Sequence, residues 1–118
     1  GGPRFVATVP VALAGPWGKA DDLSGVAVWL HHGANDRIAS VSNSDQTAEA
    51  LRRLRLQTDN ECDDVRYDRY PEAPTAAGRG PAHAGHASTV PAYQNPELYR
   101  WLLQQRLDKQ CSQVRHDL

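Results

Sequence analysis

Methionine is absent from the 118 residues, phenylalanine occurs once, and there are only two cysteines. Cys62 and Cys111 lie far apart, with neither C-x-x-C nor zinc-finger spacing, which argues against a disulfide framework and a structural zinc site. Two free thiols or one bridge both stay open. Charge of one sign is equally lacking: 13 Lys and Arg stand against 14 Asp and Glu, for a formal net charge of -1. That balance excludes the basic footprint expected of a nucleic-acid partner or of a protein held on anionic lipid. No apolar run reaches the roughly 18 residues of a membrane span; the best, residues 5–15, carries Thr8 and Pro10. The chain opens Gly-Gly-Pro rather than with an initiator Met and has the character of neither a signal peptide nor a transit sequence. It therefore reads as processed, cut, or part of a longer chain. The length predicts a single domain over residues 1–118 with a modest core, too short for a complete enzyme of any large fold.

What is present is ordered. FVATVPVAL, residues 5–13, mixes β-branched and apolar residues as a mostly buried strand does, with Pro10 tolerated at an edge or bulge. Ala14-Gly15-Pro16-Trp17-Gly18 ends it in a loop that carries a large aromatic, lining a pocket or covering the sheet. VAVWLHH, residues 26–32, is a near-continuous apolar run of strand length, as in a strand covered on both faces, and it stops at Gly33. Ser42 or Ser44 is positioned to cap a helix with Asp45 in its first turn. Thr47, Ala48, Leu51 and Leu54 fall at helical spacing, to about Leu56. Arg52, Arg53 and Arg55 read as its solvated outer side.

Val65-Arg66-Tyr67-Asp68-Arg69-Tyr70 alternates with period two and predicts a half-exposed or edge strand, stopped by Pro71. Residues 71–91 hold four prolines, three glycines and many alanines, a composition that predicts a long loop without core, functional or mobile. Asn95-Pro96-Glu97 is a compact helix start, with Leu98, Trp101 and Leu102 on one face, running to about Leu107. Residues 108–118 form a polar tail. Strand, strand, helix, strand, helix is an α/β pattern with right-handed parallel connections. About three parallel strands with two helices leave the sheet incomplete and at least one hydrophobic strand edge unpaired.

In open α/β sheets, functional groups collect at the carboxyl ends of strands, which directs attention to the loops after residues 13, 32 and 70. The second loop is His32-Gly33-Ala34-Asn35-Asp36 and the third contains Gly85-His86. An Asp beyond one strand and a His beyond the next are what an orienting carboxylate and a general base require. The plainer reading of Asp36 is a turn residue bonding its own backbone. For His86 it is a solvated loop histidine, with His83 a competitor for the base position. His31 and His32, at a strand end, read as structural rather than catalytic. His83-x-x-His86 lacks a neighbouring Cys or carboxylate and is a poor metal site. Trp29 and Trp101 read as core. Cys62 has no activating partner.

The stretch VWLHHGANDRIASVSNSDQTAEALRRL resembles the strand, His-Gly, Asp and helix found near the C-terminus of α/β-hydrolase serine esterases. GHASTVPAYQNPELYRWLLQQR is similar to the sequel in the branch of dienelactone hydrolases, phospholipase/carboxylesterases and feruloyl esterases. RFVATVPVALAG is similar to the strand after their nucleophile helix, so the likeness covers a core of residues 4–106.

The resemblance implies the C-terminal portion of an α/β-hydrolase fold in which Asp36 is the triad acid and His86 the triad base, with an ester substrate and no cofactor or metal. The family's G-x-S-x-G nucleophile elbow and its oxyanion loop are missing: Ser24, Ser40, Ser42, Ser44, Ser88 and Ser112 all lack the elbow context. Residues 37–41 replace the family's apolar, proline-containing turn, and an insertion around residues 72–84 lengthens the loop ahead of His86. Thr89 stands near where many relatives place an aromatic. The alternative is a non-catalytic, hydrolase-derived structural subunit that docks its open sheet edge on a protein partner. A small independent binding module is the weakest reading.

Overall fold

The computed structural model describes residues 7–15, 26–58 and 65–107. Expectations for Phe5, Trp17, Cys62, Cys111 and residues 108–118 fall outside them. Three strands form one parallel sheet in the order β1 (Ala7–Thr8), β2 (Ala27–Gly33) and β3 (Val65–Tyr70). The central strand is buried along its whole length, as its unbroken apolar run requires. The architecture is an open, partial α/β sheet with helices, as the element order predicts.

The first strand is shorter than expected. Its regular part ends at Thr8, because Pro10 has no amide to donate and Ala12 takes a positive φ of 52°. Pairing resumes past the interruption: the His31 amide donates to the Pro10 carbonyl, and the Ala12 amide to the His31 carbonyl. The edge-or-bulge tolerance expected of Pro10 is thus realised at an edge, since the register of Ala7 with Ala27 and of Val11 with His31 is the same on both sides of the interruption. β3 has the predicted bounds, and its exposed Arg66 and Arg69 give it the half-wet character of an edge.

Side chains alternate across β2 and sort the core into two layers. Val28 and Leu30 pack on Ala48 and Leu51 of helix α1 (Val41–Thr58), with Val65 and Tyr67 from β3. Ala27 and Trp29 face the other way, onto Leu98 and Trp101 of helix α3 (Pro96–Leu107). Trp29 meets Trp101 edge to face at 5.5 Å, and the Arg66 guanidinium lies over its ring. Burying each large apolar side chain here contributes about 1.5–3 kcal/mol. Both tryptophans are core, as read.

The start of α1 corrects the expected cap. Ser40, rather than Ser42 or Ser44, precedes the helix, and its Oγ accepts the Ser42 amide. Asp45 therefore sits beyond the first turn, where its carboxylate takes the Tyr67 hydroxyl and Arg69 instead of helix amides. Burial and that carboxylate push the Tyr67 hydroxyl up. Arg52 and Arg53 are exposed as expected, but Arg55 turns inward to donate to the Val26 carbonyl.

The segment read as structureless loop is more ordered than its composition suggests. It contains a 3-10 turn, Pro81–His83, and a short helix, α2 (Thr89–Gln94), begins before Pro91. Ala73, Ala87 and Ser88 are buried, because small side chains let this backbone lie flat on the sheet end. At α3 the expected cap is present: Asn95 Oδ1 accepts the Glu97 amide at 3.0 Å. No helix among the described residues is long and apolar enough to cross a membrane.

Candidate functional site

At the carboxyl end of β2 the backbone turns sharply. The Asp36 amide donates to the Gly33 carbonyl, and the Ala34 amide to the Tyr70 carbonyl at the end of β3. Gly33 has no room for a side chain: a Cβ there would lie 2.5 Å from Ala73 Cβ and 2.8 Å from the Gly85 carbonyl oxygen. The long loop is drawn over this turn. Asn35 works as a backbone mimic, accepting the Ala73 amide at 2.8 Å and donating to the Ala73 carbonyl at 3.1 Å. The Arg37 amide donates to the Ala84 carbonyl at 2.9 Å, which fixes the loop one step before Gly85-His86.

Asp36 and His86, 50 residues apart, are brought together here. His86 Nδ1 lies 2.9 Å from Asp36 Oδ2 and 3.2 Å from Oδ1. The Asp36 side chain is fully buried, whereas that of His86 is 38% exposed. A carboxylate can only accept, so Nδ1 carries the proton and Nε2 is left as the basic nitrogen of a partly exposed ring. Oδ1 also accepts the amides of Ile38 at 2.8 Å and Ala39 at 2.9 Å. Both readings of Asp36 thus hold together, as a turn residue through Oδ1 and a histidine partner through Oδ2. Burial by itself would raise the Asp36 carboxyl; the Ala39 amide, the His86 ring and the Ile38 amide outweigh it and hold it below the usual carboxylate range.

The direction of that shift fixes a pH dependence. A carboxyl whose folded pKa lies below its unfolded value of about 3.9 stabilises the fold fully above that value and loses the contribution as pH falls through the folded one. In urea titrations from pH 6 to pH 3, the chain should lose more stability than its Asp36→Asn variant. Parallel curves would show that the carboxylate is not held this way.

His83, the rival for the base position, makes no hydrogen bond to Asp36; its carbonyl accepts the His86 amide. His31 and His32 are both fully buried. His31 stacks between Trp29 and Tyr70, with Nδ1 2.7 Å from the Tyr70 hydroxyl. Burial lowers its pKa against the opposing pull of Asp68. Among the described residues, no group of three His, Cys, Asp or Glu is placed to hold a metal ion.

Sequence reasoning missed Asn35. Its signal was its place in a turn immediately before the candidate acid, where an amide side chain commonly bonds backbone. Replacing Asn35 by Ala removes both bonds to a nearly buried partner. The expected loss is about 1–2 kcal/mol on urea unfolding; a change under a few tenths would mean that the loop is held without it.

No protein-family model and no curated protein matches the chain. Among solved structures, the crystal structure of a thermostable esterase is similar, with a TM-score of 0.65 and 24% sequence identity. The similarity covers 85% of this chain and 24% of that one, so the chain spans about a quarter of the esterase's length. The open parallel sheet and its helices thus form a fold like part of that esterase.

Proposed function

We propose that this chain is the C-terminal segment of a serine hydrolase acting on carboxylic esters, and that it supplies Asp36 and His86 as the triad acid and base. The observation that carries the reading is the buried Asp36 carboxylate 2.9 Å from Nδ1 of a half-exposed His86. The similarity to a quarter of an esterase supports it at the level of fold. The nucleophile is not among the described serines. Ser44 is bonded to His32, Ser40 to Ser42, and Ser88 is buried without a partner.

The nucleophile belongs to a G-x-S-x-G elbow upstream of Gly1. Its hydroxyl attacks the ester carbonyl while His86 Nε2 takes the proton. The tetrahedral intermediate collapses to an acyl-serine, and His86 returns the proton to the departing alkoxide. Water repeats the sequence and releases the acid. Asp36 stays ionised throughout, holding the Nδ1–H form and balancing the imidazolium.

Protein purified from its native source with an antibody to this chain should hydrolyse 4-nitrophenyl acetate and butyrate with saturation. The recombinant 118-residue chain should not exceed the rate of free imidazole, since it lacks nucleophile and oxyanion donors. A native protein with no ester hydrolysis above that level would overturn the reading.

A further inference from the structure

A second imidazole, unused by the chemistry above, lies against the same carboxylate. His32 and Ser44 are both fully buried. His32 Nε2 is 2.8 Å from the Ala39 carbonyl oxygen and 3.3 Å from Asp36 Oδ2; Nδ1 is 2.6 Å from Ser44 Oγ. Both oxygens facing Nε2 can only accept, so Nε2 carries the proton. The atom facing Nδ1 is a hydroxyl, which can donate. In that arrangement every polar atom of the ring is satisfied, as a buried imidazole requires.

The consequence falls on Ala39. Its amide donates to Asp36 Oδ1, and its carbonyl accepts from His32. The residue that holds one carboxylate oxygen is therefore itself clamped from behind. Ser44 lies on α1, three residues past the first helical residue, so one side chain ties the end of β2, the Asp36 turn and the start of the helix.

We propose that His32 is a positioning residue: the Ala39 carbonyl and the Asp36 carboxylate hold it in its Nε2–H form, the Ser44 hydroxyl anchors the ring from the other side, and it braces the turn of residues 36–39 so that Asp36 Oδ2 faces His86. The inference rests on the reading of Asp36 and His86 as acid and base. A brace of this kind acts on orientation, and loss of orientation at a reacting group costs turnover rather than substrate binding.

The test is long-range 1H–15N correlation of the imidazoles in the labelled full-length protein. His32 should show a protonated Nε2 and a bare Nδ1, and His86 a protonated Nδ1. In His32→Leu, exchange of the His86 Nδ1–H with solvent should speed up about tenfold. His32→Gln, whose amide N–H replaces Nε2–H, should restore most of the protection. In the native full-length protein, His32→Leu should lower kcat about 10- to 100-fold with KM within about twofold, and His32→Gln should recover it.

A protonated Nδ1 on His32 in the unsubstituted chain overturns the proposal, and that measurement needs no variant to fold. Unchanged His86 exchange in a folded His32→Leu chain overturns it as well. Should that variant not fold, Ser44→Ala serves instead. Removing the hydroxyl leaves Nε2 protonated but frees the ring to turn, so exchange of the His86 Nδ1–H should speed up as in His32→Leu, and unchanged exchange counts against the brace. If the full-length protein cleaves no ester while these signatures appear, the enzymatic reading fails and the brace stands. If it cleaves esters and the His32 pattern is reversed, the brace fails alone.

Discussion

On the proposed triad, His86→Gln in the protein as isolated from its source should lower kcat/KM toward a short-chain ester by about 10⁴- to 10⁶-fold. Gln carries no group that takes and returns a proton at neutral pH, so the attacking serine loses its base and the alkoxide its acid. The loss should fall on kcat, because the imidazole meets the substrate through the proton in flight rather than through a ground-state contact. Asp36→Asn should cost about 10⁴-fold by a different route. An amide facing Nδ1 no longer obliges that atom to carry the proton, so Nε2 ceases to be reliably basic. The His86 side chain is 38% exposed but donates to a buried carboxylate, so its substitution should cost about 1–3 kcal/mol on urea unfolding, and activities are compared where both proteins are folded. A loss below tenfold in a folded His86→Gln protein would mean that this histidine is not the base.

Gly85→Ala should destabilise the chain by about 2–5 kcal/mol and separate His86 from Asp36 without touching either side chain. Two penalties combine. Gly85 has φ of +75°, which costs a residue with a Cβ about 1–2 kcal/mol, and that Cβ would stand 2.5 Å from Asn35 Oδ1 and 2.6 Å from the Asn35 carbonyl carbon. Relief requires the loop to lift, and His86 is the next residue along. Nearby glycines divide the effect into its parts. Gly78 shares the positive φ, at +80°, but nothing lies within 4 Å of its Cβ position, so Gly78→Ala should show only the conformational part. Gly80 has φ of -91° and open space, so Gly80→Ala should be neutral or stabilise by up to about 1 kcal/mol through the unfolded chain. Urea unfolding of the three variants gives the ordering, and equal costs at Gly85 and Gly78 would remove the steric argument.

What could be read from residues alone follows the kind of interaction involved. β2, β3 and α3 announce themselves through local rules: an unbroken apolar run, a period of two, and an Asn-Pro-Glu start. Pairings that span the chain left weaker traces. Ser44 resembled one of several possible helix caps because its partner, His32, comes from a strand twelve residues earlier. Asp45 looked like a first-turn acid because nothing local reveals the Tyr67 hydroxyl and the Arg69 guanidinium across the sheet. The prolines and glycines of residues 71–91 predict a loop, whereas the fold uses the smallness of the segment: Ala73 and Gly85 let two backbones and Asn35 approach to hydrogen-bonding distance. The Asp36 and His86 pairing was anticipated through family resemblance and the strand-end rule. The second imidazole on that carboxylate, His32, reads as structural from its place at the strand end, but its contact with Asp36 four residues on depends on the turn between them.

Active-serine labelling of the native protein offers the sharpest test of the hydrolase reading. The protein should be isolated from its source with an antibody to this chain, treated with a fluorophosphonate, and mapped by peptide mass spectrometry. The mass should exceed 13.0 kDa, the label should sit on a serine within a G-x-S-x-G peptide upstream of Gly1, and His86→Gln should abolish labelling. A native protein of 13.0 kDa that takes no label would contradict triad chemistry at Asp36 and His86.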